Sequence, residues 1–98
     1  MEKRNSNPRV RSQDNQQLVE IQNGDWVLCT RFGIEWAGRI IEINHIDQNV
    51  YIEVPESKWW IFDRPLVKGD TLNIYCTFER AEEKLTIIPK SIAVIINS

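Results

Sequence analysis

The sequence predicts an all-β fold: a small single-domain barrel of five to seven short antiparallel strands, preceded by a disordered N-terminal arm. Three observations carry that reading. Apolar and polar side chains alternate with period two through several short runs, as in half-buried strands. Turn signals built from Gly-Asp, Asp-Gln-Asn and Pro punctuate those runs at intervals of about 8 to 12 residues. No long segment shows a 3.6-residue apolar period flanked by helix caps. The chain's 98 residues amount to one domain.

Residues 1–17, "MEKRNSNPRVRSQDNQQ", have the composition of a tail, with Val10 as the one apolar residue after Met1. Order is expected to begin at Leu18, so the domain division is a basic arm at 1–17 and a barrel at 18–98. "GDWVLCTRFG" reads as a strand, with Trp26, Leu28, Thr30 and Phe32 on one face and Val27, Cys29 and Arg31 on the other. "EWAGRIIEINHI" continues in extended form, and Gly38 within it marks a bulge or a sharp bend. "VYIEVP" places Val50, Ile52 and Val54 inward and Tyr51 and Glu53 outward, and Pro55 ends it. "TLNIYCTFE" alternates again through Leu72, Ile74, Cys76 and Phe78. "RAEEKL" reads as a hairpin loop or a single helical turn. "LTIIPKSIAVII" reads as a closing strand, with Pro89 at an edge or bulge because it has no N–H to give a ladder. The Gly-Asp openings of "NGDWVLCTRF" and "KGDTLNIYCTF" form a faint internal echo.

Charge divides the chain. The arm carries Lys3, Arg4, Arg9 and Arg11 against Glu2 and Asp14, whereas the remainder is net acidic, and the whole chain has a formal charge of −2. Nothing global therefore points to a polyanion partner. The arm reads as a solvated leader or as a tether for acidic surfaces or nucleic acid. No apolar run approaches the ~18 residues of a membrane span and no secretory pattern opens the chain, so the expected location is cytoplasmic. Cys29 and Cys76 stand in no CxxC or Cys/His cluster and read as reduced thiols, with a disulfide as the other reading.

Catalytic constellations are not offered. His45, the lone histidine, falls in the turn-like "NHIDQN" and reads as an exposed loop residue. Ser57, Ser91 and Ser98 lack a nucleophile-elbow context, and no glycine-rich phosphate cradle is present. No cofactor or metal is expected, and the chain reads as non-enzymatic.

The unusual stretch is "ESKWWIFDRP", residues 56–65. Adjacent tryptophans in extended backbone would face opposite ways, one ring in the core and its neighbour at the rim. Aromatic and arginine side chains supply much of the binding energy at protein interfaces. Trp59, Trp60, Phe62 and Arg64 are accordingly the expected partner-binding residues, and a protein is the expected partner. The alternative is an SH3- or OB-like barrel binding nucleic acid through the basic arm, the aromatics Trp36, Tyr51, Trp59, Trp60 and Tyr75, and a local cluster of Arg31, Arg39 and Arg64.

In order, "NGDWVLCTRFGIEWAGRIIEI", "NVYIEVP", "RPLVKGDTLNIYCTF" and "KLTIIPKSIAVI" give a Gly-Asp-led strand, a strand whose basic residue precedes an Ile-rich run, a strand ending at Pro and a second Gly-Asp-led strand. Over roughly residues 20–96 this resembles the N-terminal barrel that precedes the PilZ domain in flagellar-brake proteins, with features shared by other SH3-like barrels. The RxxxR and [DN]xSxxG motifs through which the family's PilZ domain binds cyclic di-GMP are absent. The resemblance thus implies an interaction barrel, accessory to bacterial motility or cyclic di-GMP signalling, rather than a nucleotide receptor.

Overall fold

The computed structural model describes residues 5–98. Seven strands make one sheet: β1 (Arg9–Ser12), β2 (Leu18–Glu20), β3 (Trp26–Arg31), β4 (Ile34–Asn44), β5 (Asn49–Val54), β6 (Leu72–Thr77) and β7 (Thr86–Ile88). Their spatial order is β2-β1-β7-β3-β4-β5-β6. A 3₁₀ helix spans Glu56–Phe62, and two α-helices follow, α1 (Phe78–Lys84) and α2 (Lys90–Asn97). The all-β expectation holds, with helical additions. All strand pairs are antiparallel except β1 with β7, which is parallel through Arg11↔Thr86 and Ser12↔Ile87.

One interior collects the inward faces. Val10 of β1, Val27 and Cys29 of β3, Trp36 and Ile40 of β4, and Val50, Ile52 and Val54 of β5 share a core with Leu72, Phe78 and Leu85. This follows directly from period-two alternation. The sheet ends at β2 on one side and β6 on the other, and α1 packs on β1, β5 and β6 to cover that open side. A second layer lies outside. Trp26 and Leu28 of β3, with Ala37 and Ile88, receive Ile92, Ala93 and Ile96 of α2. Both faces of β3 are therefore covered over Trp26–Cys29, a run that is apolar at every position, while Thr30 and Arg31 are exposed.

The bend in β4 has two parts. At Gly38 the chain passes so close to its neighbours that an added Cβ would overlap Ile52 Cγ2 and lie 2.8 Å from Trp36 Cζ3. Register with β5 then shifts between Ile40 and Glu42, so the extra residue Ile41 is turned outward and Ile43 returns to the core. Where β5 has ended at Pro55, the uncovered edge of β4 is completed by a side chain. The Asn97 amide accepts from Ala37 N and donates to Ala37 O, both at 2.9 Å, imitating a strand.

Four expectations are corrected. The arm was expected to be disordered through residue 17, but Arg9–Ser12 form β1, with Pro8 and Val10 fully buried. Backbone pairing to β2 and β7 supplies the stabilisation that its composition does not advertise. Lys3 and Arg4, the rest of the expected basic cluster, lie outside the described residues. The "RAEEKL" turn belongs to the two-turn helix α1, whose start is capped by Thr77 Oγ1 accepting from Arg80 N at 3.1 Å. Pro89 opens α2 rather than sitting at a strand edge; its carbonyl accepts from Ile92 N and Ala93 N, and its missing N–H is harmless at a helix start. His45 is half-buried, not exposed. Its Nε2–H donates to Asn7 Oδ1 at 2.7 Å, and its ring meets Phe78 edge-on at 5.3 Å.

Candidate functional site

The segment between β5 and β6 holds the paired tryptophans. It is helical, not extended, so the two indoles diverge by helical rotation rather than strand alternation. Trp59 points into the core, 3% exposed, and its Nε1 donates to Val54 O at 2.9 Å. Trp60 is 62% exposed. The short helix is held at three points: the Trp59 bond, Ser57 Oγ donating to Asn97 O at 2.6 Å, and Asp63 in the left-handed region (φ 54°), whose N–H turns back to Trp60 O. Trp60 is thus an exposed ring on a fixed support.

The structure divides the four expected contact residues. Trp60 and Arg64 line one shallow hollow of about 350 Å³ with Asp63 and Pro65. Leu66 and Val67, both exposed, follow directly. Trp59 is withdrawn into the core. Phe62 turns the other way, edge-on to Trp36 at 5.4 Å, and borders a different groove.

That groove, about 210 Å³, opens between β3, β6 and α1. Its floor is apolar, with Ile52, Ile74 and Leu85, and its rim carries Arg31, Arg80 and Lys84. Arg80 and Lys84 are four apart on α1 and so share a face of the helix. The Arg31 guanidinium carbon lies 4.8 Å from the ring centroid of Phe32 and 4.5 Å from that of Phe62. Phe32 forms the β3–β4 turn with Gly33; both have positive φ, 53° and 76°, and Phe32 is 81% exposed. Such a turn ordinarily selects Asn, Asp or Gly.

The two cysteines are free and both line this groove. Burial, reinforced by the neighbouring Cys76, pushes the Cys29 thiol up to about 12. Burial also raises Cys76, against the opposing pull of Arg80. Both thiols are therefore held neutral near pH 7 and are poor nucleophiles there.

Of the aromatics considered for nucleic-acid binding, Trp36 and Trp59 are buried, while Tyr75 is exposed and lies 5.7 Å from the half-buried Tyr51. The three arginines do not cluster: Arg31 and Arg64 line separate hollows and Arg39 lines neither. The basic groove went unnoticed in the sequence because its cations come from positions 31, 80 and 84, brought together only by the fold. The Arg80–Lys84 spacing was a local signal, but it becomes informative only once α1 is known to be a helix. Among the described residues no group of three or more His, Cys, Asp or Glu side chains is placed to hold a metal ion, and no helix is long and apolar enough to cross a membrane.

No protein-family model, curated protein or solved structure matches the chain. What the fold and site define is a small sheet-rich domain with an exposed tryptophan, Trp60, and a separate groove rimmed by basic residues.

Proposed function

We propose that the chain is a non-enzymatic protein-interaction module whose anchor is Trp60. The observation that carries this is the opposite placement of two adjacent indoles: Trp59 is fastened inside, and Trp60 is held outside on the same rigid turn. A large side chain carried on backbone that is already fixed spends less entropy on binding than one on a mobile loop, and such residues are frequent among those that dominate an interface. Exposed Leu66 and Val67 extend the apolar area, and Arg64 with Asp63 supplies polar groups at its margin. The resemblance to the flagellar-brake barrel supports an accessory role in bacterial motility or cyclic di-GMP signalling without nucleotide-binding motifs.

The test compares immobilised wild-type chain with Trp60→Ala and Arg64→Ala variants of verified fold. Partners recovered by wild type are expected to be lost with Trp60→Ala; unchanged recovery rejects this face. Titration with single-stranded oligonucleotides at two salt concentrations addresses the nucleic-acid reading, which requires tight binding that weakens steeply with salt.

A further inference from the structure

We propose that the groove between β3, β6 and α1 is a binding site for a small amphipathic oxyanion, an apolar chain or ring ending in a carboxylate or phosphate. The first argument is charge. Residues 18–98 are net acidic, yet Arg31, Arg80 and Lys84 meet at one rim, and no Asp or Glu lines the groove. Among the described residues none of the three is paired with a carboxylate. Like charges held together without counterions repel, and an anion seated among them relieves that repulsion.

The second argument is preorganisation. Cation–π contacts with Phe32 and Phe62 restrain the Arg31 guanidinium at the groove. A planar guanidinium so held suits carboxylate or phosphate oxygens taken two at a time. The Phe32 contact depends on a turn that places a large, mostly exposed apolar residue in the left-handed region, where Asn or Gly would be less strained. Strain of that kind persists where the side chain has a use.

The third argument is the floor. Ile74 and Phe62, the partly exposed apolar residues above the buried Ile52 and Leu85, would remain against water beside a bare inorganic anion. Covering them requires that the ligand carry an apolar body, which separates this class from simple phosphate or sulfate. The groove is small, about 210 Å³, and suits a short chain or a single ring.

The experiment is a ¹⁵N–¹H titration of the full chain with sodium octanoate, octyl phosphate, octanol and inorganic phosphate. Octanoate and octyl phosphate are expected to shift the amides of Cys29–Arg31, Tyr75–Cys76 and Arg80–Lys84 saturably, the tighter of the two naming the headgroup. Octanol and inorganic phosphate are each expected to bind at least about tenfold more weakly, since each lacks one half of the recognition. The Arg80→Gln/Lys84→Gln double variant keeps helix-forming residues on an exposed face, and it is expected to weaken the amphiphiles by at least about tenfold. Slower alkylation of the half-buried Cys76 with octanoate present gives an independent reading of occupancy. Octanol binding as tightly as octanoate, shifts that map elsewhere, no binding of either amphiphile, or an unaffected double variant would each overturn the assignment. None of these outcomes depends on Trp60.

Discussion

Replacing each of the adjacent tryptophans by alanine separates support from contact. Trp59 is almost wholly enclosed and its Nε1–H is bonded to Val54 O. Removing a buried Trp side chain costs about 3–5 kcal/mol, and the lost hydrogen bond falls within that range. Trp60 is 62% exposed, so about two-fifths of its surface is covered, some ~75 Å² of a side chain of ~200 Å². At ~25 cal/mol per Å² that covered area sets an upper limit of about 1.9 kcal/mol, and denatured-state burial brings the expected cost to about 1 kcal/mol. The two variants should differ by about 3 kcal/mol, a large part of the ~5–15 kcal/mol available to a domain this size. With a urea slope of about 2 kcal/mol/M the unfolding midpoint, followed by circular dichroism, should lie about 1.5 M lower for Trp59→Ala than for Trp60→Ala. Midpoints within about 0.3 M of each other, at equal slopes, would refute the assignment of one ring to the core and the other to the rim.

Gly38→Ala forces a methyl against Ile52 and Trp36, so it should cost about 1–3 kcal/mol and lower the thermal midpoint, as calorimetry can check. Phe32→Asn relieves about 1–2 kcal/mol of left-handed strain and loses about 0.5–1 kcal/mol of cation–π contact with Arg31. Its unfolding midpoint should therefore rise while octanoate binding weakens; a lower midpoint contradicts the strain argument. Cys29 ionises near its ordinary value of 9.0 when unfolded but only at about 12 when folded, so the folded state holds the extra proton between those values. Stability is thus fully present below pH 9 and lost as pH rises toward 12, at up to about 1.4 kcal/mol per pH unit. Cys29→Ala, whatever its own cost, should lose less stability than wild type between about pH 8 and about pH 10 in urea titrations.

The alternating strands were legible because each buries one face against the common interior: Val50, Ile52 and Val54 lie as their spacing dictates, and Val27 and Cys29 share one side of β3. Other elements were illegible for particular reasons. In β4 the bulge at Ile41 slips the phase, which alternation alone cannot register. β1 offers a single core side chain, Val10, and owes its order to backbone pairing with the neighbouring β2 and with β7, far along the sequence. The run Ile92–Ile96 is rich in β-branched residues, which favour strands, yet Ile92, Ala93 and Ile96 fit one face of a short helix packed on Trp26 and Leu28. For the site, the split between Trp59 and Trp60 is legible from their adjacency, whereas the short 3₁₀ helix that produces it is not. The groove could not be foreseen, because its rim is assembled by tertiary structure.

The three-residue strand β7 lies between β1 and β3 in space although it follows both by more than fifty positions. Until Thr86–Ile88 have been synthesised, the hairpin of β1 and β2 has no sheet to join and β3 lacks one of its two neighbours. Loop closure over such a separation must precede any gain from pairing, which slows folding. On the ribosome, β3, β4 and β5 can form a meander first, while residues 9–20 wait as a detached ribbon. Docking of that ribbon must wait for β7, and until it occurs its strand edges remain open to proteases and to strand exchange.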